Sequence, residues 1–129
     1  MLAIDTNVVV RYLVGDDPVQ AKAARRLVDD NEVLVGDTVW LETDWVLRSA
    51  YGFARARVCK ALRDFAGLPH VVVERPDRLA RALTYAEAGM DFADGLHLAG
   101  ADGCGAFVTF DMRLQKAARK AGAIEVRRP

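Results

Sequence analysis

Short apolar runs alternate with longer amphipathic stretches along the chain, a pattern typical of strands that alternate with helices. The short runs are bounded by polar turn residues and predict strands at residues 2–4, 33–36, 71–73, 106–109 and 124–126. Between them, apolar residues recur at every third or fourth position, as they do on one face of a helix. These stretches predict helices at residues 8–13, 18–28, 38–51, 58–65 and 76–88, from 91 onward, and at 112–121.

The separation of the strands decides between fold classes. Hairpins need strands joined by short turns, whereas a helical stretch lies between each predicted strand and the next. We therefore predict an α/β fold, in which a mostly parallel sheet of four to five strands is covered by helices on both faces, as a three-layer sandwich. The chain has 129 residues, so we expect residues 1–129 to form a single domain.

Composition and charge narrow the function classes without identifying one. The hydrophobic fraction of 52% and the charged fraction of 28% are typical of a folded globular protein. The net charge is zero, so any contact with nucleic acid has to come from local groups. Cys59 and Cys104 lack zinc-site spacing, and we interpret both as small buried apolar residues. Asp5 and Arg11 interrupt the first apolar stretch, so we expect neither a signal peptide nor a membrane span, and a cytoplasmic location.

Two aspartates follow predicted strands at the places where parallel α/β sheets bind ligands. Asp5 ends the first strand, and Asp111 follows the fourth. Ligands bind beyond the carboxyl ends of such strands, so the two carboxylates would lie side by side if their strands were neighbours. Each aspartate can also be explained as the N-cap of the helix that follows it.

Asp94 has a similar double interpretation. It lies three residues after Asp91, which predicts a capping box in which Asp94 is the acid of the first helical turn. Negative charge is also favourable near the start of a helix. Asp94 is therefore a candidate ligand whose position alone does not separate binding from capping.

Glu42 lies on the predicted helix 38–51 between apolar neighbours. Val39, Trp45 and Val46 stand three or four positions away, so we expect Glu42 on the buried face. A buried carboxylate needs a metal or a cationic partner. A salt bridge to Arg48 or Arg11 is the structural alternative to metal binding.

Several carboxylates in one cleft raise one another's pKa values unless cations neutralise them. Oxygen ligands of this kind favour Mg²⁺ or Mn²⁺, the ions that serve phosphodiester hydrolysis. The acids Asp5, Glu42, Asp94 and Asp111 therefore predict a divalent metal centre.

The motifs around these acids resemble the PIN-domain ribonucleases. The matching segments are Ile4 to Val8, the helical Glu42, Asp91 to Ala99, and Thr109 to Asp111, in this order along most of the chain. The chain looks most similar to the toxin members of the VapBC toxin–antitoxin systems. One departure is Gly95, where many relatives carry Ala, which would loosen the start of that helix by up to ~1 kcal/mol.

The resemblance implies a PIN-like single domain with a defined set of functional residues. Asp5, Glu42, Asp94 and Asp111 would be the catalytic acids that hold Mg²⁺ or Mn²⁺, with Asp91 as an accessory acid. Asn7 and Thr109 would support these ligands without binding the metal themselves. The resemblance also implies an RNA substrate, a homodimer, and a cognate antitoxin protein that restrains the nuclease.

The sequence also offers candidate substrate contacts and leaves alternative functions open. With zero net charge, Arg11, Arg48 and Arg113 are the candidate phosphate contacts near the cleft. A structure-specific DNA nuclease of the same fold could use the same acids. A non-catalytic α/β binding or signalling domain is a further alternative, but the complete set of four carboxylates argues against it.

Overall fold

The computed structural model describes all 129 residues and contains seven helices and five strands in the predicted order. No helix is both long and apolar enough to span a bilayer. The strands are β1 (Leu2–Ala3), β2 (Val33–Val35), β3 (Val71–Val73), β4 (Phe107–Val108) and β5 (Val126–Arg127). The helices are α1 (Thr6–Val14), α2 (Pro18–Asp30), α3 (Asp37–Ser49), α4 (Arg55–Ala66), α5 (Pro76–Glu87), α6 (Phe92–Ala99) and α7 (Met112–Lys120). Each predicted element is therefore present, and the α/β class is confirmed.

The chain divides into two compact units, Met1–Pro76 and Asp77–Pro129. The first contains β1 to β3 and α1 to α4, and the second contains α5 to α7 with β4 and β5.

The first unit is built on a parallel sheet in the order β1-β2-β3. Val33 of the central strand pairs with Leu2 on one side and with Val71 on the other. Helices α1 and α2 connect β1 to β2, and α3 and α4 connect β2 to β3, as parallel neighbours require. Val33 and Val35 are completely buried, as expected for a strand covered on both faces.

Aromatic packing forms the core beside this sheet. The ring of Phe65 on α4 meets Tyr12 of α1 edge to face, with centroids 5.1 Å apart. On its other side Phe65 meets the buried Trp40 of α3 at 6.0 Å. Such edge-to-face contacts stabilise a core beyond the burial of area alone. The helices that carry Asp5 and Glu42 are thereby anchored in the same core.

The second unit has a smaller core and a two-stranded parallel ladder. β4 pairs with β5, Phe107 opposite Val126, and α7 is the crossover helix between them. The core centres on Met90, Leu98 and Leu114, against which Phe107 and Val126 pack. This core holds α6 and α7, the helices associated with Asp94 and Asp111.

The hydrogen bonding of the strands differs from the prediction in one respect. The expected sheet of four to five strands is divided into a three-stranded and a two-stranded ladder. β1 pairs with β2 and β4 pairs with β5, so the first and fourth strands are not the hydrogen-bonded neighbours that we considered. Both strands are two residues long and offer few backbone groups for a second ladder.

One local prediction also needs correction. Cys59 is buried as expected, but Cys104 is exposed, because it follows α6 in a turn rather than lying on a helical stripe. Helix α3 begins at Asp37 with Gly36 as its N-cap, and no side chain caps it.

Candidate metal centre

Asp5 lies directly after β1 and is the N-cap of α1. Its Oδ1 accepts a hydrogen bond from the backbone amide of Val8 at 3.1 Å. No other hydrogen bond or ion pair engages this exposed carboxylate, so its second oxygen is available to a ligand. The capping interpretation of Asp5 is therefore correct and leaves metal binding possible through Oδ2.

Glu42 is exposed, and the prediction that it lies on the buried face of α3 is wrong. The hydroxyl of Thr6, the residue after Asp5, donates to Glu42 Oε1 at 3.3 Å. This contact connects the start of α1 to the first turns of α3. It places Glu42 beside the residue that follows the candidate ligand Asp5.

The buried face of α3 is formed by a different set of residues, which share the spacing of one helical stripe: Trp40, Thr43, Asp44 and Leu47. Trp45, one of the apolar neighbours that predicted a buried Glu42, is 63% exposed. Each residue turns the helix by about 100°, so a shift of one or two positions exchanges the buried face for the exposed one.

Asp44 is the buried carboxylate of α3 and has a structural role. It is 2% exposed and accepts hydrogen bonds from two nitrogens of Arg48: Nε donates to Oδ1 at 3.1 Å and to Oδ2 at 3.2 Å, and Nη2 donates to Oδ2 at 2.8 Å. The salt bridge that we had considered for Glu42 therefore belongs to Asp44. A bidentate pair of this kind satisfies the buried charge without a metal.

Asp111 is the N-cap of α7. Its Oδ1 accepts from the amides of Arg113 and Leu114 at 2.9 and 3.1 Å. The backbone amide of Asp111 in turn donates to Thr109 Oγ1 at 3.0 Å, so the Thr109 hydroxyl holds the backbone at the cap. Like Asp5, Asp111 is exposed and commits one carboxylate oxygen to its helix, which leaves Oδ2 for a ligand.

Asp94 lies in the first turn of α6 and has no capping role. The side chain of Asp91, the N-cap, makes no hydrogen bond to the helix, so the predicted capping box is absent. Asp94 is half-buried, and its carboxylate accepts no hydrogen bond and forms no ion pair. Burial raises the pKa of Asp94, the negative charges of Asp91 and Asp111 raise it further, and His97 lowers it.

The acids of the second unit therefore influence one another electrostatically. The raised pKa of Asp94 means that its ionised form is disfavoured where it stands. Carboxylate oxygens are the ligands that Mg²⁺ and Mn²⁺ prefer, so a bound cation fits this donor set and would relieve the repulsion. No group of three or more His, Cys, Asp or Glu side chains is arranged so that it could hold a metal ion.

Asn7 makes no hydrogen bond to any of the candidate ligands. It is exposed on α1 and lines a surface cavity of about 350 Å³ together with Arg11 of the same helix and Gln20 of α2. Its expected supporting role stays a prediction.

The candidate phosphate contacts are not equally available. Arg11 is held by Gln20, Asp16 and Tyr51, the last through a contact of 3.3 Å. Arg48 is occupied by the buried Asp44. Arg113 is exposed and forms no ion pair, so it alone of the three predicted arginines remains free to bind a phosphate.

Sequence reasoning missed one residue of this region, Asp44, and one contact, between Thr6 and Glu42. Asp44 could have been found, because the stripe that begins at Trp40 has helical spacing and includes it. The contact of Thr6 with Glu42 joins residues 36 positions apart, and no local pattern indicates it.

Comparison with known proteins identifies the family. No curated protein matches the chain at a significant level. A family model described as PIN domain matches residues 2–120, which includes every candidate ligand and spans both units. The chain therefore belongs to the PIN-domain family of metal-dependent nucleases.

Proposed function

We propose that this protein is an endoribonuclease that hydrolyses RNA phosphodiester bonds with Mg²⁺ or Mn²⁺. The proposed metal ligands are Asp5, Glu42, Asp94 and Asp111, with Asp91 as an accessory acid. The observation that carries the proposal is Asp94, a half-buried carboxylate without a hydrogen bond, whose pKa is raised by burial and by two nearby acids. A fold tolerates such a group where a cation supplies the missing charge.

The chain's own residues support this chemistry by positioning oxygen atoms. Asp5 and Asp111 each anchor one oxygen on helix amides, which orients the second oxygen without a flexible side-chain search. The Thr6 hydroxyl holds one oxygen of Glu42, and the Thr109 hydroxyl holds the backbone of Asp111. When bound, a divalent cation supplies the positive charge that stabilises a phosphodiester during in-line hydrolysis.

RNA is the proposed substrate because the family resemblance favours it. Unpaired RNA is the natural target, since its backbone can enter a cleft that a duplex cannot. No observation specifically favours the alternative, a DNA nuclease with the same acids. Parallel cleavage assays on single-stranded RNA and on DNA of the same sequence separate the two.

The resemblance to VapC-type proteins supports a cellular role as the toxin of a toxin–antitoxin pair. In this role the protein acts in the cytoplasm as a homodimer, and a cognate antitoxin restrains it. Light scattering after size exclusion tests the dimer, and a monomer at micromolar concentration contradicts that part of the proposal.

The central experiment compares Asp5→Asn with Asp17→Asn in cleavage of labelled single-stranded RNA. Asp17 caps α2 through the amide of Gln20, in the same way that Asp5 caps α1. Asn is as good an N-cap as Asp, so both substitutions preserve the helix and remove one negative charge. We expect Asp5→Asn to reduce kcat/KM at least about 100-fold, the scale of a lost electrostatic contact to the transition state, and Asp17→Asn to leave it unchanged.

Removal of divalent cations provides the second arm. EDTA is expected to abolish cleavage, and added Mg²⁺ or Mn²⁺ to restore it. Full activity of Asp5→Asn would contradict the role of Asp5, and activity that persists in EDTA would contradict the metal mechanism.

A further inference from the structure

A basic groove runs along α7 in the second unit and is outside the candidate metal centre. It is a cavity of about 390 Å³. One wall carries Arg113, Lys116 and Lys120, and the other contains Tyr85 and Met90, with alanines and a glycine between them. We call this cavity the α7 groove.

The three cations of the α7 groove form one line. They lie three and four positions apart on α7, which places them on the same helix face at steps of about 4.5 and 6 Å along the axis. All three are exposed, none forms an ion pair, and no acidic residue lines the groove. Unpaired cations on one wall of a concave surface are typical of a site for a chain of negative charges.

A second surface cavity shows that this arrangement is not general for the molecule. The cavity of about 550 Å³ on α2 also contains two cations at helical spacing, Lys22 and Arg26. Asp30 lines the same cavity and offsets part of their charge. Of these two cavities, the α7 groove combines several cations with a lining that contains no acid.

We propose that the α7 groove binds the phosphodiester backbone of single-stranded RNA as it leaves the metal centre. This inference rests on the proposed ribonuclease function, because Asp111, a proposed ligand, caps the same helix two residues before Arg113, the first cation of the groove. Phe110 precedes Asp111 and is 73% exposed, so its ring is available to stack on a base. A cationic track combined with an exposed aromatic ring is the usual way that proteins hold single strands.

The test measures RNA binding by fluorescence anisotropy in EDTA, where no cleavage occurs, for Lys116→Ala/Lys120→Ala and for Lys22→Ala/Arg26→Ala. Both pairs are exposed, lie four positions apart on a helix and carry the same charge. Alanine favours helices, so both double variants should fold, and thermal melting checks this. The labelled probe is a single-stranded RNA of mixed sequence.

Loss of the two lysines should weaken binding about 25-fold at about 0.1 M salt, since each lost phosphate contact costs about 5-fold there. The slope of log affinity against log salt should fall by about 1.4, and the α2 pair should match the wild type. Equal binding by the two double variants would overturn the proposal. Polyglutamate serves as a second probe. If Lys116→Ala/Lys120→Ala binds RNA as the wild type does but has lost binding to polyglutamate, the proposal is also overturned, and the groove is a site for an acidic polypeptide.

A parallel Mg²⁺-dependent cleavage assay of the wild type separates the two proposals. If RNA binding depends on Lys116 and Lys120 but the wild type cleaves no RNA, the groove proposal stands and the ribonuclease proposal is refuted. Cleavage with equal binding by both double variants would retain the nuclease and refute the groove.

Discussion

Removal of Arg48 should destabilise the fold far more than neutralisation of its partner. Asp44 is 2% exposed and depends on Arg48 for its charge-assisted hydrogen bonds. Arg48→Ala leaves a buried carboxylate without compensation, whereas Asp44→Asn leaves a guanidinium that reaches water, because the Arg48 side chain is 30% exposed. The two variants remove the same ion pair from opposite sides.

The magnitudes follow from this asymmetry. Breaking a buried pair typically costs 3–5 kcal/mol, and partial access of water at Arg48 places Arg48→Ala near the lower end, at about 3 kcal/mol. Asp44→Asn loses charge-assisted hydrogen bonds but leaves no buried charge without a partner. We therefore expect its free energy of unfolding to fall by about 1 kcal/mol. The double variant Arg48→Ala/Asp44→Asn has no unpaired buried carboxylate. Its free energy of unfolding should therefore be about 1 kcal/mol higher than that of Arg48→Ala.

Urea unfolding followed by tryptophan fluorescence measures these differences, since Trp40 is completely buried on the same helix. At a slope of about 2 kcal/mol per molar urea, the Arg48→Ala midpoint should fall by about 1.5 M. The reasoning is refuted if Asp44→Asn is as damaging as Arg48→Ala, or if the double variant shows no recovery.

Two further predictions concern local packing and pH. Gly95→Ala would gain about 1 kcal/mol of helix propensity. Its Cβ would lie 3.0 Å from the carbonyl oxygen of Ala82, however, so crowding should make the variant less stable than the wild type by about 1 kcal/mol. A raised urea midpoint would contradict this prediction. Tyr51 donates to Asp16 at 2.8 Å and is the main reason that the pKa of Asp16 is lowered from 3.8. The stability that depends on this contact is complete above pH 3.8 and is lost as the pH falls through the lower pKa of the folded state. The stability difference between the wild type and Tyr51→Phe should therefore become smaller in acid. If the urea midpoints of the two proteins stay equally separated from about pH 7 to about pH 3, protonation of Asp16 does not control this difference.

The order of elements could be predicted from the sequence because its signals are local. Gly15 ends α1 in the left-handed conformation, with φ 71°. Asp17 and Pro18 begin α2 as cap and first helical residue. Such signals depend on a few neighbouring backbone groups, so they do not require knowledge of what packs against the helix.

The interpretations of the individual candidate acids changed once their surroundings were known. Glu42 was the acid that we expected to need a metal most, yet it is exposed and bound by Thr6. Asp94 takes that place, because its expected capping box is absent and burial, together with neighbouring negative charge, raises its pKa. The sequence shows which acids follow strands. Their burial and the shifts of their pKa values depend on groups that other elements bring near them.

The sequence by itself determined the alternation of strands and helices, the helix caps at Asp5, Asp17 and Asp111, and the set of acids typical of the family. Only the tertiary structure decided which carboxylate of α3 is buried, which arginines are occupied and which cations share the α7 groove. The physical reason is the range of the interactions. Capping and periodicity act over one or two turns of chain, whereas burial, ion pairing and cavity shape depend on segments brought together by folding.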